Sequence, residues 1–434
     1  MRLLKWIILA LILLPFYSEA QTAYCSGYTS HSPISLTGAS SQTISGDSIL
    51  VGSSTTGIYL TNCHDIHITK SHILNGSNSN PSLNYNGIAI VLYNCYNITV
   101  DSCYINNVVS CVYAQNCTGG IVVQNNRMQN VVGPYPRGQF VQFNNVSGGG
   151  NRVLNNRLED FTGSSNPEDA INIYKSNGLA TDSIEVVGNW IRGGGPSTTG
   201  SGITVGDQGG SYIYVGGNLI VNSGYIGIQC AGGHDIHITN NKIFSSCSTV
   251  SHLGLGNGNY TSPYVAGYNI TIDYNYINWT QGLTMPYCTR QDKSSEAGQP
   301  IPTGWSTNVS DNTLTASIIP TPMWSPCNPL TPPNISYSPS SETWTQYTAI
   351  SSWSPTNTGG AATSWSITPP QPSGITFSTT TGVFTGTPLI PQSSTGYVVT
   401  ATNSAGSSSV TVYITITASA GGVIRVPGIT AIIK

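Results

Sequence analysis

An eight-residue pattern recurs eight times between residues 66 and 277. Its first, third and eighth positions are apolar in nearly every copy, the third is always Ile or Val, and the sixth is often Asn. The copies start at Ile66, Ile98, Ile121, Asn151, Ile184, Ile213, Ile236 and Ile270, 23 to 34 residues apart. Positions one and three lie two apart, so they share one strand face, while positions two and four point outward. An irregular repeat of strand-like units predicts a chain wound into a coil, each turn stacked on the last. Asn fills position six at 126, 156, 189, 218, 241 and 275. The pattern puts it at a turn, where Asn tolerates left-handed backbone. Stacked turn on turn, these amides are expected to bond to one another as a ladder. They are therefore scaffold and not a row of sugar-binding groups.

A second strand precedes each copy, as in Gly87-IAIVL, Gln139-FVQF, Ala170-INIY, Gly202-ITV and Gly227-IQC. Each turn thus holds two or three short strands, and successive turns should pair in parallel about 4.8 Å apart. The 23-residue spacing is about one bare turn, and longer spacings imply loops on the outside. Over residues 34 to 280 this architecture resembles the right-handed parallel β-helix proteins of the pectate-lyase-like superfamily. That resemblance implies an all-β, right-handed coil. Residues 24 to 60 are expected to make the first turn or a cap. Residues 281–331 lose the repeat and gain proline, which reads as an end cap and linker.

From residue 332 the style changes. Trp365-SIT, Pro372-SGITFSTTTGVFTGTP, Tyr397-VVTATNSAG and Val410-TVYITIT are short alternating strands broken by Gly and Pro, the pattern of a small β-sandwich. The GIT…TGVFTGTP core and the VTATNSAG strand closely resemble a bacterial family of Ig-like domains. The resemblance covers residues 332–417 and implies a spacer, an attachment domain or a carbohydrate contact. Residues 418–434 form an apolar tail, either a last strand or an incomplete sorting signal.

The first twenty residues stand outside these patterns. Arg2 and Lys5, an apolar stretch from Trp6 to Phe16, and Ser18-Glu19-Ala20 form a secretory signal peptide, cut before Gln21. The apolar run is short of the roughly 20 residues of a spanning helix, and no later segment is long and apolar enough. The mature chain is therefore expected to be secreted or at the cell surface, with no transmembrane segment, as a monomer. Only 7 % of residues are charged and the formal net charge is -3. No basic stripe exists, so nucleic acid is excluded as a partner. Ten cysteines are compatible with disulfides in an exported chain. Cys63 and Cys95, however, occupy the same place in successive repeats, where buried stacked thiols serve equally well. Cys288 and Cys327 lie outside the repeats and are the natural pair. There is no zinc-type Cys/His spacing.

With so few charges, the candidate chemistry is easily found. It gathers in EDAINIYKS, which holds Glu168, Asp169 and Lys175, then in Arg192 and the GGGPSTTG loop, Asp207, and His234-Asp235-Ile-His237. Aligning DAINIYKS with SGITVGDQ sets Lys175 beside Asp207 on adjacent turns, with Gln142, Asn172, Thr204 and Gln229 as an outward column. These are the ingredients of a polysaccharide lyase acting on a uronate polymer. Lys175 would be the base and Arg192 an alternative base or a carboxylate clamp, while Glu168, Asp169 and Asp207 would ligate calcium. The column and His234 would bind substrate, a polysaccharide or cell-surface glycan. A hydrolase needs instead two carboxylates across the bond, for which Asp169 and Asp207 are the best pair. A non-catalytic adhesin fits the Ser, Thr and Asn-rich faces as well, and Lys175 with Asp207 would then be an ordinary surface ion pair. The HDIHIT motif at 64–69 and again at 234–239 argues for a repeated structural unit. The stretch from EDAINIYKS to AGGHDIHITNNKI resembles a recurring type of secreted β-helix protein without one settled activity. The arginine motif of pectate lyases and the paired-Asp motif of polygalacturonases are both absent, so no catalytic residue is carried over from either.

Overall fold

A computed structural model of the chain describes residues 28–78, 84–195, 198–260, 266–282, 288–323, 332–403, 406–419, 423–426 and 429–432. The segment read as a signal peptide lies outside them, as do Cys25 and Cys327. The chain divides into two compact units, with the boundary after Pro326. No α-helix occurs among the described residues, and none of their helices is long and apolar enough to cross a membrane.

The first unit is a parallel β-helix. Each full turn supplies three short strands, and each strand pairs in parallel with its counterpart one turn on, giving three ladders. The turn through Ile171–Asn177, Ile184–Val187 and Trp190–Arg192 shows the plan. The following turn runs the first two ladders together as one long strand, Ser201–Gly216, before Leu219–Val221 enters the third. Registers keep like residues over like. Val186 faces Val215, which faces Ile238 and then Ile272, and Ile191 faces Ile220, Ile243 and Ile277. All of these side chains are fully buried in one continuous core. Repeat positions one and three thus face inward from the second ladder, and position eight from the third.

Position six forms the expected ladder. Nδ2 of Asn126, Asn156, Asn189, Asn218 and Asn241 each donates to Oδ1 of the next Asn at 2.8 to 3.0 Å. The same oxygen accepts the backbone N–H of the Asn before it, as Asn189 Oδ1 does from Asn156 at 3.0 Å. The remaining amide hydrogen reaches a carbonyl of the preceding turn, Val153 O for Asn189 at 2.9 Å. Every polar atom of this fully buried column is therefore used. The left-handed residue is not this Asn but the one before it, with φ between 48° and 58° at Lys70, Ser102, Asn125, Asn155, Asn240 and Tyr274 and glycine at 188 and 217. The corner is made at position five, which frees position six to point inward.

Two other expectations change. The coil does not stop at residue 280. Lys293–Ser295 pairs in parallel with Leu253–Asn257, Val309–Ser310 pairs with Tyr276–Gln281, and Asn308 accepts from Asn275 Nδ2 at 2.7 Å as a further rung. In this turn Thr303 is bridged to Thr271 at position two, and its neighbours Pro302 and Gly304 stand where the apolar residues would be, so the repeat was hidden. Cys288 is bonded to Cys247, not to Cys327, with the two Cα atoms 5.8 Å apart. Cys63, Cys95, Cys103, Cys111, Cys117 and Cys230 are buried free thiols. Cys63 and Cys95 donate to nearby carbonyls at 3.3 to 3.5 Å, the stacked-thiol alternative.

The second unit is a small Ig-like β-structure. Ser341–Thr345, Gly406–Thr417, Gln392–Asn403 and Ser364–Thr368 form one sheet in that order. Ile375–Phe377 pairs with Phe384–Gly386, and Trp344, Trp353, Trp365, Phe377 and Phe384 fill the core. In the tail, Val423–Val426 and Ile429–Ile432 make an antiparallel pair.

Replacing Asn189 by Ala strands the backbone N–H and the amide of Asn156, and Val153 O. At about 1–3 kcal/mol per buried group left unpaired, urea unfolding should show a loss of at least about 3 kcal/mol. Asn240→Gly at a left-handed corner should change stability by less than about 1 kcal/mol.

Candidate functional site

The outward column expected in the first ladder is present. Gln142 pairs with Asn172, Asn172 with Thr204 and Thr204 with Gln229 on successive turns. All four are buried despite pointing away from the core. Loops entering the ladder cover them and turn a flat face into a cleft of about 650 Å³. Its walls include Tyr135, Thr198, Thr199, Tyr225 and Tyr260, together with Glu168, Asp169 and Asp207. Gly200 lets the 198–200 loop pass against the Glu168 carbonyl, since a Cβ there would lie 2.0 Å from that oxygen.

Asp169 ends the loop that leads into Ile171–Asn177, and its carboxylate ties two adjacent turns together. Oδ1 accepts from Ser201 N at 2.7 Å and Thr204 Oγ1 at 2.9 Å, and Oδ2 accepts from Asn172 Nδ2 at 2.6 Å. Burial pushes its carboxyl up to about 7, and the nearby charges of Glu168 and Asp207 add to this, against the hydrogen bonds from Thr204 and Asn172. Asn172 Nδ2 also lies 3.4 Å from Asp207 Oδ2, so one amide nitrogen touches two carboxylates. Burial likewise raises Asp207, opposed by the Asn172 contact and by the charge of Lys175. Glu168 is half-buried at the rim and accepts from Thr199 Oγ1 at 2.6 Å.

Other expected members lie elsewhere. The partner of Asp207 across the ladder is Tyr174, not Lys175. The long strand carries an irregularity at this point, with Gly206 and Gln208 both left-handed, so the simple alignment slips. Lys175 is itself left-handed and exposed, with Nζ 5.2 Å from the Tyr174 ring, and it makes no ion pair with Asp207. Arg192 belongs to the third ladder and not to the cleft. Its Nε lies 2.7 Å from Glu159 Oε1, and Nη1 donates to Pro320 O at 2.9 Å and Thr321 Oγ1 at 2.7 Å. His234 opens a strand of the second ladder and does not line the cleft. It stacks on Tyr268 at 4.5 Å and meets Asp235 Oδ2 at 2.6 Å, and His64 does the same with Tyr96 and Asp65 at 4.7 and 2.7 Å. The duplicated HDIHIT motif is thus a repeated surface brace. Among the described residues no three His, Cys, Asp or Glu side chains gather as a metal cage, and the oxygens of Asp169 are already filled by donors.

The tyrosine walls went unread in the sequence, as did Glu296, whose Oε2 accepts from Asn259 N at 3.0 Å beside Tyr260. Tyr135 and Tyr260 sit in loops that lengthen the spacing between copies, which was their signal, whereas Tyr225 lies in a 23-residue turn and Glu296 beyond the last copy, where the pattern gave none.

The fold and the cleft define a loop-decorated parallel β-helix followed by an Ig-like module. Residues 331–417 match the family model described as "Putative Ig domain", so the second unit is an Ig-like domain. Among solved structures, the chain is similar to a mutant tailspike protein of E. coli bacteriophage HK620 in complex with a pentasaccharide. The identity is 12%, the TM-score 0.30, and the match covers 89% of this chain and 71% of that one. It is also similar to the catalytic domain of a GH87 alpha-1,3-glucanase in complex with nigerose, at 12% identity and a TM-score of 0.26, over 65% of this chain and 63% of that one. No curated protein matches the sequence. The β-helix assignment rests on the strand registers themselves.

A carboxyl group whose folded value is raised binds its proton more tightly in the folded state than in the unfolded one. Stability from Asp169 is therefore full below about pH 4 and falls as pH rises towards 7. Asp160, pushed up to about 8 by burial, acts in the same direction. Asp169→Asn keeps the shape, because Asn172 can turn its amide over and offer Oδ1. Thermal unfolding of this variant between pH 4 and pH 8 should show a flatter slope than the parent chain.

Proposed function

We propose that this chain acts on a polysaccharide and that the cleft cleaves the glycosidic bond by hydrolysis, with Asp169 and Asp207 as the carboxyl pair. The observation that carries this reading is the shared amide. Asn172 Nδ2 lies 2.6 Å from one carboxylate and 3.4 Å from the other, so those oxygens are at most about 6 Å apart, close enough for the roughly 5–5.5 Å spacing of retaining glycoside hydrolases. Two buried carboxyls at that separation hold their protons unequally. Asp169, the more buried, keeps one near neutral pH and is the general acid for the leaving oxygen. Asp207, half-buried and nearer Lys175, is the ionised partner that activates water or attacks the sugar carbon. Water is added across the broken C–O bond: its hydroxyl goes to the sugar carbon, the proton of Asp169 goes to the leaving oxygen, and the proton the water gives up restores Asp169. Asn172 and Thr204 orient the pair.

The uronate-lyase alternative keeps a candidate base in Lys175. It lacks a clamp for the uronate carboxylate, because Arg192 is committed to Glu159 in another ladder.

The test incubates the protein with a panel of polysaccharides and follows both new reducing ends and unsaturated products. New reducing ends are expected without unsaturation. Asp207→Asn and Asp169→Asn should each cut the rate by about 100-fold or more, while the folded fraction at the assay temperature stays unchanged. Unsaturated product that disappears in Lys175→Ala would instead establish elimination, and loss of activity with a chelator would bring calcium into the site. Binding without product on any polymer would leave an adhesin.

A further inference from the structure

Charge in the cleft has one sign. Glu168 and Asp207 stand on its walls, Asp169 on its floor, and Glu296 approaches from the next loop beside Tyr260. Of the basic groups of the surrounding turns, Arg137, on the loop that carries Tyr135, lies over the Tyr113 ring at 4.3 Å. Arg192 is held by Glu159 and Arg290 by Asp292. Lys293 Nζ donates to Trp305 O at 2.9 Å and Asn308 O at 2.8 Å. Lys175 lies exposed beyond Tyr174.

The outward column, which reaches the cleft at Thr204, adds a second, independent observation. Asn172 is 4 % exposed and Gln142 8 %, on adjacent rungs, and Asn172 Oδ1 and Gln142 Oε1 have no hydrogen-bond donor. The column beside the cleft is therefore short of donors. A buried acceptor without a donor is costly, and hydroxyl-rich ligands are the class that brings donors to such a site. At the rim, the exposed rings of Tyr135 and Tyr260 offer flat apolar faces for sugar C–H groups.

We propose that the cleft, taken as the glycan site above, selects an uncharged, hydroxyl-rich polysaccharide and rejects uronate-containing or sulfated polymers. This reverses the substrate class expected from the sequence. Hydroxyl groups donate to the carboxylates, whereas an added anionic group would meet several of them at short range.

Affinity electrophoresis of the full chain tests this, in gels containing an uncharged glucan, an uncharged mannan, polygalacturonate or a sulfated galactan, at low and high salt. At least one uncharged polymer should retard the protein with an apparent affinity about ten-fold or more above either anionic polymer. Glu168→Gln should narrow that gap, and so should added salt, by screening the repulsion. Equal or stronger retardation by an anionic polymer overturns the charge selection. Asp207-dependent release of reducing ends from polygalacturonate overturns it too, while leaving the hydrolytic pair intact. Neither retardation nor cleavage with any polymer sinks both readings together.

Discussion

In-register stacking of parallel turns is the constraint on which everything else depends. Each residue lies about 4.8 Å above its counterpart, so whatever the sequence places at one position is repeated as a column along the coil. Apolar columns pack on themselves. A buried polar column must supply its own donors and acceptors in equal number, and a primary amide does this. From Asn126 to Asn275 each amide gives one hydrogen to the next rung and one to the turn behind, and from Asn156 to Asn308 each oxygen takes a side-chain and a backbone hydrogen. Serine and cysteine satisfy the requirement in the early turns at positions 71 and 103, through Ser71 Oγ to Thr69 O and Cys103 Sγ to Asp101 O.

The same constraint explains which parts of the chain could be read from its residues. Val153, Val186 and Val215 sit at one repeat position and fall on one buried column, because the period of a strand leaves no choice of face. The third ladder followed from position eight. The corner did not. Asn at position six suggested a left-handed turn by its ordinary preference, yet the left-handed residues are its neighbours, including Lys70 and Tyr274, which have no such preference. Tertiary stacking set the backbone there, and the Asn was retained for its amide.

The site shows the limit of alignment by repeat. Gln142, Asn172, Thr204 and Gln229 kept their register, since each is fixed by the apolar residues beside it. Lys175 and Asp207 did not, because Gly206 and Gln208 add residues at the corner where the first two ladders run into one strand. Arg192 lay only a few residues from the 198–200 loop in sequence but one ladder away in space. Long side chains at corners take their direction from such slips. A carboxylate such as Asp169 that is clamped by a backbone N–H and two side chains takes it from the strands themselves.

The paired braces on the second ladder carry a further consequence. His64 on Tyr96 and His234 on Tyr268 have similar ring separations and the same 6° tilt, with the same Asp and Asn neighbours, several turns apart. A two-turn unit can thus recur along the axis without any knowledge of what lies between its copies. Such a body lengthens by whole turns as a wall rises by courses of brick, and the cleft behaves as a window set into a few of those courses. Genetic duplication of a brace would change the reach of the molecule and leave its opening untouched.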